Sequence, residues 1–167
     1  MKNIVLIGMP GAGKSTIGVL LAKSTLMDFT DTDLLIQKKY SSALCDIINE
    51  KGIDEFLKIE NDVICEAEFH NCVVATGGSA VLRETSMAHL RENGVCVYLN
   101  LPYSVIARRV NNRNTRGIAA ENHETLKDIY DFRTPYYEKY ADFTVDCRGK
   151  SAEKNVAEVL RVLIGIE

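Results

Sequence analysis

The chain lacks the cysteine spacings that build metal or redox sites. Its five cysteines, Cys45, Cys65, Cys72, Cys96 and Cys147, form no CxxC, and no Cys/His cluster has zinc spacing. Most sit in apolar stretches such as Val95-Cys96-Val97, as small buried hydrophobes of a reducing, cytoplasmic setting. Long hydrophobic runs are also missing. The N-terminal MKNIVLIGMPG holds an apolar run of only four residues before a glycine, too short for a signal peptide or a membrane span. Basic charge is not in excess: 20 Lys+Arg against 23 Asp+Glu give a net charge of -3, which argues against a general nucleic-acid or membrane-surface binder. There is no internal repeat, low-complexity tract or obvious linker. The remaining expectation is one domain, 1–167, long enough to bury a sizeable core. Its 46% hydrophobic and 26% charged residues are those of an ordinary globular protein.

What is present alternates. Asn3 to Ile7 reads as a buried strand, Lys14 to Ser24 as a helix with Ile17, Leu20 and Leu21 aligned, and the residues around Phe29 as a strand leading into Asp31. Helices are expected at 33–40, 43–51 and 54–69, a strand over Val73–Thr76, a helix over Thr85–Glu92 and a strand over Val95–Leu99. A helix at 103–112, a polar stretch from Asn111 to Glu124, a helix over 125–140, a strand over Phe143–Asp146 and a helix over Ala152–Ile164 complete the pattern. Strands alternating with helices predict an α/β fold with a mostly parallel sheet, helices on both faces and ligands at the carboxyl ends of the strands.

The strongest signal is Gly8-Met9-Pro10-Gly11-Ala12-Gly13-Lys14-Ser15, followed by Thr16. It fits G-x-x-x-x-G-K-[ST] with a strand before it and a helix after it. The glycines allow successive N–H groups to turn inward around a phosphate, and the helix N-terminus faces the same anion. Lys14 is expected at the β- and γ-phosphates and Ser15 on Mg²⁺. The chain therefore binds a nucleoside triphosphate with Mg²⁺, which alone does not distinguish a kinase from other users of the loop. An N-K-x-D guanine reader is absent, as is the long hydrophobic strand ending in an acid that a motor ATPase has.

Four further features narrow the class. In Asp31-Thr32-Asp33, carboxylates two residues apart diverge if a helix begins there, one toward the metal shell and one toward a substrate hydroxyl; a turn with an N-cap explains the same pair. Thr76-Gly77-Gly78-Ser79 ends the central strand in a turn whose N–H groups can bind an acceptor or the γ-phosphate, or which is only tight. Four arginines in the nine residues 108–116 (Arg108, Arg109, Arg113, Arg116) suit a lid that closes on the nucleotide and excludes water, or a solvated loop. Arg133-Thr134-Pro135-Tyr136-Tyr137 offers an arginine suited to a carboxylate.

Together, and in this order, these motifs resemble the shikimate kinase family over roughly residues 2 to 165. Adenylate kinases have G-T after the loop lysine and lack the DTD and R-x-P-Y patterns; gluconate kinase is a nearer relative. The resemblance implies a three-layer P-loop fold with a five-stranded parallel sheet in order 2-3-1-4-5, an acceptor-binding segment at 33–60 and a lid at 111–124. It implies ATP as co-substrate, Mg²⁺, a small-molecule acceptor and a monomer. It also implies that Lys14 stabilises the transferring phosphoryl group, Ser15 binds the metal, Asp31 holds it through water, and Asp33 binds the acceptor hydroxyl and acts as base. Gly77 and Gly78 supply amides, Arg116 meets the γ-phosphate, Arg109 stacks on adenine, and Arg133 clamps the acceptor carboxylate.

Three positions depart from the family pattern. F-R-x-x-E becomes Phe56-Leu57-Lys58-Ile59-Glu60, the third glycine of G-G-G becomes Ser79, and the lid's R-P-L-L becomes Arg116-Gly117-Ile118-Ala119. Glycine for proline in the lid adds flexibility. Losing one arm of a carboxylate clamp costs on the order of 2–5 kcal/mol of recognition. Leu57 either packs in a core with Phe56, Ile59, Val63, Ile64 and Ala67 or makes a wall of the acceptor pocket apolar. Lys58 or Arg113 could lean toward the acceptor, and Ser79 could offer it a hydroxyl. Phosphoryl transfer to shikimate is the leading expectation. A kinase for another small hydroxylated acceptor, gluconate-like or other, and a nucleotide-binding regulatory protein without catalysis are the alternatives.

Overall fold

The computed structural model describes residues 2–110, 117–120 and 124–164. Arg113, Arg116 and most of the expected lid therefore lie outside the described residues.

Five strands, β1 (Asn3–Ile7), β2 (Asp28–Asp31), β3 (Cys72–Ala75), β4 (Gly94–Asn100) and β5 (Phe143–Asp146), form one sheet in the order β2-β3-β1-β4-β5. Every neighbouring pair is parallel, with Val5 beside Val74 on one side and Cys96 on the other. The central strand β1 is apolar after its first residue and buried at all five positions, as a strand covered on both faces must be. The edge strands β2 and β5 are only partly buried and carry the polar residues.

Eight helices are present among the described residues: α1 (Lys14–Thr25), α2 (Thr32–Tyr40), α3 (Leu44–Lys51), α4 (Ile53–Glu66), α5 (Glu84–Glu92), α6 (Tyr103–Arg109), α7 (Leu126–Tyr140) and α8 (Ala152–Leu163). Helix α7 begins with a reciprocal capping box between Thr125 and Asp128, and α8 with the Ser151 hydroxyl accepting from the Lys154 N–H. None of them is long and apolar enough to cross a membrane.

Two apolar clusters support this frame. The large one packs both faces of the sheet, with Leu6, Ile7, Leu21, Val73, Val97 and Leu99 at or below 2% exposure. The small one gathers Ile36, Leu44, Ile47, Phe56, Ile59, Val63 and Ala119, with Leu57 half-buried against it. Helices α2 to α4 thus carry their own core beside the sheet.

Element ends differ from the sequence reading in places. The helix expected at 54–69 stops at Glu66, because Ala67 turns extended and the chain must descend to start β3. Asn3 fixes that descent: its Nδ2 donates to the Phe69 carbonyl and its Oδ1 accepts from the Cys72 N–H. Ala67 therefore belongs to no helical face. A single 3₁₀ turn, Ala80–Leu82, links the end of β3 toward α5 and had no periodic signal.

Candidate active site

All strands run the same way, so the carboxyl ends of β1, β2 and β3 deliver their loops to one edge of the sheet. There they line a cleft of about 370 Å³ together with Arg109, Gly117, Ile118, Ala119 and Arg133.

After β1, Gly13 takes a left-handed conformation (φ 93) and caps α1 without a side-chain partner. A residue with a Cβ disfavours that turn. It starts α1 at Lys14, whose first-turn N–H groups have no intrahelical acceptor and suit an anion. Lys14 is 8% exposed, and its Nζ donates to the carbonyls of Gly8 (2.7 Å) and Met9 (2.9 Å). Burial pulls its pKa down to about 8, opposed by the charges of Asp33 and Asp31. Gly11, Gly13, Ser15 and Thr16 line the cleft. Gly8 and Ala12 do not: Ala12 is buried with its N–H on the Met9 carbonyl, and a Cβ on Gly8 would stand 2.9 Å from the Leu99 carbonyl oxygen. Both positions thus hold the loop in shape.

At the end of β2 the acidic pair separates. Asp31 is the extended N-cap of α2: its Oδ1 accepts from the Asp33 N–H at 2.9 Å, and its Oδ2 accepts from Ser15 Oγ at 2.6 Å. Asp33, one residue inside the helix, turns to the cleft. Burial, reinforced by Asp31 and opposed by Lys14, pushes its carboxyl up to about 6. Capping and site construction coexist in this one turn.

After β3, the Gly77 N–H donates to Thr32 Oγ1 at 3.1 Å. The expectation that Gly77 presents an amide to the acceptor is therefore corrected, since that donor ties the turn to α2. Gly77 is needed for another reason. A Cβ there would meet Glu60 Oε2 at 2.6 Å and Asp33 Oδ1 at 2.7 Å. The Gly78 and Ser79 amides make no hydrogen bond to any described residue, and both residues line the cleft. The Ser79 hydroxyl, expected to be offered to an acceptor, instead donates to Glu60 Oε1 at 2.8 Å. Tyr137 of α7 secures the same turn by donating to the Gly78 carbonyl (2.7 Å), and its ring stacks on Tyr98 of β4.

Glu60 is the residue that the sequence reading left without a role. It is 1% exposed, and its Oε2 has no hydrogen-bond partner among the described residues. Burial pushes its carboxyl up to about 7, against the Ser79 hydrogen bond. Only its spacing, three residues beyond Leu57 on α4, hinted at it.

Arg133 of α7 is 2% exposed, and its Nη2 donates to the Ala119 carbonyl at 2.6 Å. Among the described residues no carboxylate stands within ion-pair distance of it. Arg109 reaches the phosphate loop, its Nη1 donating to the Gly11 carbonyl at 3.1 Å. Leu57 is not in the wall. It packs with the small core of α2 to α4, so its place as an acceptor contact is corrected to a packing role. Its neighbour Phe56 lines the cleft instead. Lys58 points out to Glu55, 3.4 Å away. Arg116 and Arg113 lie outside the described residues.

The assembly is a phosphate loop, a hydroxyl–carboxylate pair beside it, a second carboxylate facing the cleft and a buried cation opposite. Comparison with known proteins gives the same constellation a family. The shikimate kinase family model matches residues 10–164. A shikimate kinase from Caldanaerobacter subterraneus subsp. tengcongensis is 34% identical, covering 100% of this chain and 99% of that one. The solved shikimate kinase of Acinetobacter baumannii in complex with shikimate superposes with a TM-score of 0.91 at 27% identity, over 100% of this chain and 95% of that one. The shikimate kinase of Aquifex aeolicus gives 0.83 at 31% identity, over 98% and 97%. With family model, full-length relatives and sheet order in agreement, the chain belongs to the shikimate kinase family.

Proposed function

We propose that this chain transfers the γ-phosphoryl group of ATP to a hydroxyl of shikimate. The observation that carries the reading is Arg133: a buried guanidinium without a carboxylate partner, opening on the cleft that also holds Asp33 and the phosphate loop. A buried cation is stable only if something anionic meets it. Shikimate brings one carboxylate for Arg133 and ring hydroxyls for Asp33. The named substrate of the relatives supports the same choice.

In this reading the loop amides and Lys14 hold the phosphates, and Arg109 covers the nucleotide base. Asp33 orients the acceptor hydroxyl and takes its proton; a carboxyl near 6 is largely ionised above neutral pH and still basic enough to assist. The free amides of Gly78 and Ser79 face the acceptor. Ser15 Oγ and Asp31 Oδ2, 2.6 Å apart beside the loop, are hard oxygen donors of the kind Mg²⁺ takes when it arrives with a nucleotide. The described residues hold no cluster of three carboxylate, His or Cys ligands that would build a resident metal site. When bound, Mg²⁺ neutralises charge on the β- and γ-phosphates. We further propose one domain over 1–167 with an acceptor segment at 33–60 and a lid at 111–124, working as a cytoplasmic monomer without nucleic-acid or membrane partners.

Leu57 keeps a second reading open: with one clamp arginine fewer than the family pattern, a different small hydroxylated acid, gluconate-like or other, fits the same site. Arg133→Ala separates the roles. Its KM for shikimate is expected to rise by tens to thousands of fold, a loss of about 2–5 kcal/mol, with the KM for ATP unchanged. Equal loss for both substrates, or none for shikimate, contradicts the assignment.

A further inference from the structure

Glu60 and Arg133 are oppositely charged side chains buried to 1% and 2% exposure in the same site, yet they are not paired. Once ionised, the Glu60 carboxyl is drawn to the guanidinium in this low-dielectric setting. Both groups stand against the turn at 77–79. Glu60 Oε2 stands 2.6 Å from the Cβ position of Gly77, and Arg133 Nη1 stands 3.2 Å from the Cβ position of Gly78. Gly77 and Gly78 are consecutive, so the carboxyl and the guanidinium stand against the same turn. Among the described residues the hydrogen bond that restrains the Glu60 carboxyl is Ser79 Oγ donating to its Oε1 at 2.8 Å.

We propose that Ser79 is a positioning residue for the acceptor site: its hydroxyl holds the Glu60 carboxyl off Arg133 and so keeps the guanidinium available for an anionic acceptor. This rests on Arg133 being the acceptor clamp. A freed Glu60 carboxylate is an internal competitor for the acid group of the substrate. The proposal also links two of the departures from the family pattern. An arginine at position 57 would lie at i,i+3 from Glu60 on α4 and could hold its carboxylate from the other side. Leu57 removes that cation, and Ser79, in place of a glycine without a side chain, supplies the alternative restraint.

The test is a double-mutant cycle of Ser79→Ala in the native and Glu60→Gln backgrounds, read by steady-state kinetics. Ser79→Ala alone is expected to raise the KM for shikimate about tenfold or more, with kcat falling less and the KM for ATP within about twofold. In the Glu60→Gln background, where the competitor carries no charge, the same change is expected to leave the shikimate KM within about twofold. An equal effect in both backgrounds, or none in either, overturns the proposal. A second readout needs no turnover. The ¹⁵N resonances of the Arg133 guanidinium are expected to shift in Ser79→Ala and to stay in place in the double variant, and no shift in Ser79→Ala also overturns the proposal. If Ser79→Ala fails to give a dispersed spectrum, Ser79→Gly, the family's own residue there, carries both measurements. Failure of the native chain to use shikimate while the resonance shift is present sinks the substrate assignment and leaves the positioning role standing.

Discussion

Glu60 is where the residue-scale account is most exposed to test. Its carboxyl is raised to about 7 by burial, from an ordinary value of 4.5. A raised folded-state pKa means that the folded protein binds the proton more tightly than the unfolded chain. The associated stability is fully present below about 4.5 and is lost as the pH rises through about 7. Ser79, Asp33, Arg133 and Lys14 face this carboxyl and are unchanged in Glu60→Gln. The variant keeps an acceptor for the Ser79 hydroxyl and cannot ionise. Relative to the native chain it is expected to gain roughly 1–3 kcal/mol between pH 5 and pH 8, measured by chemical denaturation at each pH. A pH-independent difference contradicts the buried ionisation. The sequence pointed to this neighbourhood through Leu57, for which it left core packing and pocket wall both open. A helical leucine among Phe56, Ile59 and Val63 reads equally as core or wall, and only three-dimensional placement assigns it to the small core. Glu60 stands in the F-R-x-x-E pattern, but its burial and its bond to Ser79 appear only in three dimensions.

At the scale of elements, residues 117–119 show what a glycine does where the family pattern has proline. Gly117 replaces the family proline, which on entropy alone loosens the chain there. In the structure it has φ 61, and a Cβ there would stand 2.5 Å from Leu44 Cβ at the start of α3. Proline cannot adopt that φ, and other residues adopt it at a cost of about 1–2 kcal/mol. The glycine thus lets residues 117–119 press against α3, where Ala119 joins the small core and accepts from Arg133. Gly117→Ala is expected to lose about 1–3 kcal/mol of stability and to raise the acceptor KM severalfold while sparing the KM for ATP. Unchanged melting and kinetics would show that this contact does not hold the cleft. The eight helices and five strands were legible because hydrophobic period and glycine punctuation act locally. The end of α4 was not, because it is set by Asn3, far away in sequence, reaching Phe69 and Cys72.

For the molecule as a whole, the parallel sheet explains why separate motifs become one site. Strands β1, β2 and β3 end at the same edge, so the phosphate loop, the DTD pair and the Gly-Gly turn converge although they span Gly8 to Ser79. Helix α7 then brings Arg133 and Tyr137 across, the latter bonded to Gly78. That convergence was readable from the order of motifs. The partners inside the site were not: Gly77 to Thr32 and Ser79 to Glu60 are long-range bonds that spacing does not encode. The central claim is transfer of a phosphoryl group from ATP to a hydroxyl of shikimate. It is tested most directly by following ATP, Mg²⁺ and shikimate with the purified chain by ³¹P NMR. The account predicts a new phosphomonoester resonance that grows in step with ADP and requires shikimate. Formation of ADP with inorganic phosphate alone, or no consumption of ATP in the presence of shikimate, contradicts it.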